Sequence, residues 1–79
     1  MPHANLGMAL AQNRETQEAI VHFRKAIEIN PDHALAHFSL GNALFQKGET
    51  QEAIIHLREA VRLNPGFTLF RKVLEAALL

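Results

Sequence analysis

The sequence has no cysteine, tryptophan or tyrosine, and no excess of charge of either sign. Without cysteine there can be no disulfide, thiol nucleophile or thiolate metal site, so the stability of the chain has to come from packing. The charges balance overall and along the chain, so no basic patch predicts nucleic acid or an anionic membrane as a partner. Neither a membrane span nor a signal peptide is evident, which favours the cytoplasm.

The 79 residues do contain an internal repeat with a period of 34. When the chain is shifted by this period, 17 of the 31 pairs from 3/37 to 33/67 are identical, including Gly7 with Gly41 and Pro31 with Pro65. Residues 68–79 match 34–45 at 4 of 12 positions. We therefore divide a single domain into repeat 1 (1–33), repeat 2 (34–67) and a terminal helix or half-repeat (68–79).

Each repeat is predicted to contain two helices. In repeat 2, residues about 33–47 and 50–64 lack internal proline and are rich in good helix formers. Asn30-Pro31 ends the preceding helix, because proline disfavours helical geometry in the residue before it, and Asp32 is expected to cap the next helix. With the terminal helix, the prediction is an all-α chain of about five helices.

The turns inside the repeats differ. Gly48 can adopt positive φ, and Thr50 is expected to cap the helix that follows. Thr68 is expected to cap the terminal helix in the same way. In repeat 1 the place of the glycine is taken by Asn13-Arg14, so we expect a looser first turn.

Small residues are expected to bring the paired helices together. Gly41 faces Ala53 or Ala60 across the second pair, which lets the two backbones approach closely while leucines fill the space beside the contact.

Several positions recur together in the two repeats and resemble the tetratricopeptide repeat. They are His3-x2-Leu6-Gly7-x2-Leu10, Ala19-x3-Phe23, Ala26 and Pro31, followed by His37-x2-Leu40-Gly41-x2-Leu44, Ala53-x3-Leu57, Ala60 and Pro65. The resemblance implies a right-handed α-solenoid whose first helices line a concave groove, and that groove usually binds peptides or proteins. It does not identify the ligand.

The residues offer little for catalysis or for holding a cofactor. Most of the few hydroxyl groups are expected to cap helices, and no phosphate loop or metalloprotease pattern is present. His33 and His37 are spaced for one helix face, but two histidines make a weak metal site. We predict neither an enzyme, a cofactor nor a bound metal.

The first helices carry a second stripe of side chains that is the best candidate surface for a partner. Its aromatic and amide groups suit an apolar or amphipathic segment, because an amide can donate to and accept from an extended backbone. An alternative is that Phe38 and Phe45 only fill the joints between repeats, and both roles can hold. The stripe comprises Asn5, Met8, Gln12, Leu35, Phe38, Asn42, Phe45 and Gln46.

The terminal helix is strongly apolar and has only a narrow charged stripe, whereas the end helix of a solenoid normally turns a polar face outward. One hypothesis is therefore a self-assembling scaffold, in which this helix docks on or exchanges into another copy to give a homodimer or domain-swapped oligomer. The other is that the chain is a piece of a longer array. The residues concerned are Phe70, Val73, Leu74, Ala77 and Leu78.

Overall fold

The structure is a computed structural model that describes the main chain of residues 2–79 and the side chains of residues 14–79. Within these residues the chain is all-helical, which confirms the predicted class. It has four helices and not the five expected. They are α1 (Pro2–Ile29), α2 (Ala34–Lys47), α3 (Thr50–Leu63) and α4 (Thr68–Leu78).

The missing turn is the first one, because α1 continues through Asn13 and Arg14 without a break. The looser turn predicted there is therefore wrong. No residue between Gly7 and Pro31 is a glycine or proline, so nothing in this segment interrupts a helix. A left-handed residue at the place of Arg14 would cost about 1–2 kcal/mol, and the continuous helix avoids that cost.

The second turn forms as predicted around Gly48, which has φ of +91°. Its N–H donates to the carbonyl of Phe45 at 3.0 Å, and the N–H of Glu49 donates to that of Leu44 at 2.9 Å. Both carbonyls belong to the last turn of α2 and would otherwise lack partners. This closed turn reverses the chain, so that α2 and α3 form an antiparallel hairpin.

The helix ends are as expected, but the caps are not. α1 and α3 end just before Asn30-Pro31 and Asn64-Pro65, as predicted. At the start of α2, however, His33 Nδ1 accepts from the Ala36 N–H at 3.2 Å, so His33 caps this helix and Asp32 does not.

The predictions that Thr50 and Thr68 cap α3 and α4 are also wrong. Thr50 and Thr68 are the first residues inside α3 and α4, and the residues before them, Glu49 and Phe67, make no side-chain capping hydrogen bond. A hydroxyl placed inside the helix no longer faces the free amide groups of the first turn from the capping position.

The core is centred on the α2–α3 hairpin. A Cβ atom built on Gly41 would lie 2.7 Å from Leu57 Cγ and 3.0 Å from the Ala53 carbonyl oxygen. This confirms the predicted close approach to Ala53. On the other side of α2, Ile20 of α1 is buried in the same cluster as Leu40, and α4 packs mainly against α3.

Among the helices described over residues 2–79, none combines the length and apolar character needed to cross a bilayer.

Candidate partner-binding cleft

An open cleft of about 680 Å³ lies between α1 and α2. Phe23 and Ala19 of α1 face Phe38 and Ala43 of α2, which makes part of its lining apolar. Hydroxyl and amide groups and one carboxylate complete the lining. The further lining residues are Glu15, Thr16, Ser39, Asn42 and Gln46.

Three of the predicted binding residues, Phe38, Asn42 and Gln46, line this cleft. Leu35 and Phe45 are exposed on α2 but do not line it. For the predicted positions in the first repeat, Asn5, Met8 and Gln12, the side chains lie outside the described residues.

The α1 wall of the cleft was missed by the sequence analysis: Ala19 was expected to pack on Gly7 in a hairpin inside repeat 1, and Phe23 was noted only as a position of the repeat motif. Their equivalents in repeat 2, Ala53 and Leu57, are indeed fully covered by α2. The signal that distinguishes the two repeats is Arg14, which stands where repeat 2 has the turn-forming Gly48.

Phe38 fills a joint between helices, as one of the two interpretations predicts. Its ring stacks on Phe70 of α4, with centroids 4.6 Å apart and planes at 24°, and Phe67 meets Phe70 edge to face. Such aromatic pairs stabilise by about 0.5–1.5 kcal/mol beyond the area that they bury. Phe38 therefore joins α2 to α4 and at the same time forms a wall of the cleft.

A histidine pair lies in the α2–α3 contact. His37 Nε2 is 2.8 Å from the Pro31 carbonyl oxygen, which can only accept, so this nitrogen donates. In neutral His37 the other nitrogen then accepts a hydrogen bond from His56 Nδ1, 3.2 Å away. These contacts fix the tautomers of both rings.

The environment of His56 opposes a positive charge. Burial lowers the pKa of His56, the neighbouring His37 lowers it further, and Glu52 acts in the opposite direction. Glu52 itself forms an ion pair with Arg24 of α1 at 2.7 Å. This ion pair links α1 to α3, and the histidine pair links α2 to α3. Among residues 14–79, no group of three or more side chains is arranged to hold a metal ion.

The predicted self-association residues divide into two groups. Phe70 and Ala77 are buried by the chain itself, so they belong to its own packing. Val73 and Leu74 are partly buried, and Leu78 is 50% exposed. Of the five predicted residues, Leu78 therefore leaves the most surface for a contact with a second copy.

A 34-residue sequence repeat, folded in repeat 2 as a helical hairpin with an open cleft beside it, is typical of helical-repeat proteins. A family profile described as tetratricopeptide repeat matches residues 4–66, and the chain belongs to the tetratricopeptide repeat family. Repeats of this family generally mediate protein–protein interaction. No curated protein matches the sequence.

Proposed function

We propose that this chain is a protein-interaction module that binds an apolar or amphipathic segment of a partner protein in the cleft between α1 and α2. The observation that carries the proposal is the composition of the cleft. Its apolar residues come from both helices, and the amide groups of Asn42 and Gln46 lie on the α2 side. Apolar walls with a few orienting polar groups are typical of binding sites.

The role of each part follows from its chemistry. Phe23 and Phe38 offer flat apolar surface, which gains free energy when a partner side chain removes it from water. Asn42 and Gln46 can each donate and accept, so they can satisfy the backbone or polar groups of the bound segment. The right-handed superhelix expected of stacked repeats would make this cleft one part of a longer concave groove.

The experiment is a selection of peptides from a displayed random library on the full chain, followed by titration of one enriched synthetic peptide by fluorescence anisotropy. Asn42→Ala and Gln46→Ala should each weaken binding about 2–10-fold, the effect of losing one hydrogen bond. The control is Val21→Ala, because Val21 is an exposed apolar residue of α1 that does not line the cleft. Equal affinities for all these variants would contradict the proposal.

The second candidate function is a self-assembling scaffold, which is favoured by the exposed Leu78 on α4. A charge placed on a buried apolar contact is costly, so Leu78→Glu should reduce association through this helix. Light scattering over a concentration series measures that change directly.

A further inference from the structure

In repeat 2, the surface equivalent to the α1 face of the cleft is covered by another helix. In the α2–α3 hairpin, residues 37–46 pack on Ala53, Leu57 and Ala60, and all three of these are 0% exposed. Gly41 makes this possible, because any side chain there would collide with Leu57.

In repeat 1 the corresponding face is only partly covered. Ala19, Phe23 and Ala26 are the equivalents of the three buried residues, and each keeps part of its surface exposed. Two of them, Ala19 and Phe23, line the open cleft. The cleft therefore lies beside the surface on which a helix like 37–46 would pack.

The chain contains a segment that matches this surface. Residues 3–12 are identical to 37–46 at six of ten positions, including Gly7 at the place of Gly41. These residues belong to α1, however, and α1 runs without a break from Pro2 to Ile29. A continuous helix cannot fold back on itself, so the segment cannot reach the cleft of its own chain.

We propose that two copies of this chain exchange residues 3–12, each copy placing this segment against Ala19 and Phe23 of the other. The inference rests on the proposed function, because it names a partner for the same cleft. In the exchanged dimer the two α1 helices lie antiparallel, as α2 and α3 do within one chain.

The register of repeat 2 gives this arrangement a closed symmetry. Gly41 lies opposite Ala53, so Gly7 of one copy would lie opposite Ala19 of the other, and the midpoint of these positions is residue 13. A twofold axis near residue 13 relates the two contacts, so each copy gives one segment and receives one. The assembly ends at two chains.

Arg14 is the residue that favours exchange over a closed hairpin. The hairpin turn of repeat 2 uses Gly48 at φ of +91°, a conformation that is unfavourable for arginine. In the exchanged dimer residue 14 stays helical and the same helix–helix contacts form between chains. A strained hinge that is relieved by exchange is a general route to domain swapping.

The test measures the molar mass of the full chain by light scattering over about a hundredfold range of concentration. The parent should form a dimer. Arg14→Gly should raise the dimer dissociation constant at least about 30-fold, because two turns become unstrained for every dimer lost. Arg14→Ala retains the Cβ atom and favours helix, so it should dimerise like the parent.

The position of the contact is tested by a double variant, His3→Cys/His22→Cys. These residues are the equivalents of His37 and His56, whose rings are stacked in repeat 2. Since the chain has no other cysteine, a short thiol cross-linker should join two chains in the exchanged dimer and should join sites within one chain in a closed hairpin. Denaturing electrophoresis separates these products.

Three outcomes would overturn the exchange: a parent that stays monomeric, Arg14→Gly and Arg14→Ala dimers of equal affinity, or cross-links within single chains only. Dissociation of the dimer by Leu78→Glu would also overturn it, since it would place the contact on α4. The peptide titration with Asn42→Ala and Gln46→Ala is a separate measurement on protein diluted until it is monomeric, so that residues 3–12 of a second copy do not occupy the cleft. Failure of the exchange is therefore distinguishable from failure of the proposed function.

Discussion

At the scale of single residues, Gly41 has the clearest structural role. It is the point of closest approach between α2 and α3, where even a Cβ atom would meet the side chain of Leu57 and the backbone of Ala53. Because Leu57 is completely buried, it has no free space into which it can move. The small residue therefore determines the distance between the two helices.

We predict that Gly41→Leu lowers the free energy of unfolding by about 1–3 kcal/mol, the usual cost of overpacking a core. Urea denaturation followed by circular dichroism measures this change. The matched control is Gln51→Leu, which adds the same side chain at an exposed position of α3. If both variants unfold at the same urea concentration, the helices are not in contact through Gly41.

The His37–His56 pair gives a prediction about pH. Burial and the neighbouring His37 hold the pKa of His56 below its ordinary value, so the unfolded chain takes up the proton more readily than the folded one. The stabilisation is therefore fully present above the ordinary histidine range and decreases as the pH falls through that range towards the lowered pKa.

The measurement is the urea midpoint between about pH 7 and pH 5, above the range in which most carboxylates titrate. We expect the parent to lose stability towards acid pH and His56→Gln to lose less. A parent midpoint that is constant or rises towards pH 5 would contradict the assignment.

At the scale of helices and turns, Gly48 and Gly66 form a natural comparison. Both have open space where a Cβ atom would be added, but only Gly48 has positive φ. Gly48→Ala should therefore lower the free energy of unfolding by about 1–2 kcal/mol through backbone strain alone. Gly66→Ala should leave stability unchanged or raise it by up to about 1 kcal/mol, because alanine restricts the unfolded chain. Thermal melting of the two variants should change in different directions or by clearly different amounts.

The same comparison explains how much of the fold the sequence could predict. The 34-residue period, Asn30-Pro31 and Gly48 predicted the α2–α3 hairpin and the ends of α1 and α3, because each acts through local backbone geometry. The capping residues were harder to predict. Asp32 and His33 are adjacent, and a shift of the helix start by one residue changes which side chain reaches the free amide groups of the first turn.

The continuity of α1 could not be read from the repeat. The identity between the repeats predicted the same turn in both. In the structure the first turn is absent, and Arg14 stands there at the place of Gly48. The free-energy difference between a strained turn and a continued helix at residue 14 is small compared with the packing energy of the helical segments before and after it. Periodicity alone therefore does not decide it, and the α1 wall of the cleft was missed for this reason.

At the scale of the whole molecule, α4 is connected to the cleft through the aromatic rings. Phe70 is 2% exposed and is one of the largest fully buried side chains among those described. It stacks on Phe38, which itself lines the cleft. A change in α4 can therefore alter the cleft without changing any residue in its lining.

We predict that Phe70→Ala lowers the free energy of unfolding by about 3–5 kcal/mol, because it leaves a cavity between α2 and α4. This is a large share of the stability of an average domain, so amide hydrogen exchange in α4 should become much faster. The control is Leu69→Ala in the same helix, where the side chain is 48% exposed and truncation should cost about 1 kcal/mol or less.

The effect of Phe70→Ala on peptide binding shows whether Phe70 shapes the cleft or only stabilises the fold. Without Phe70, the ring of Phe38 loses its stacking partner and can take other rotamers, so a bound segment would have to pay for ordering it again. Peptide affinity should then fall for Phe70→Ala and stay unchanged for Leu69→Ala, at a temperature where both remain folded by circular dichroism. Equal affinity in the two variants would show that the cleft is shaped by α1 and α2 alone, with α4 acting only on stability.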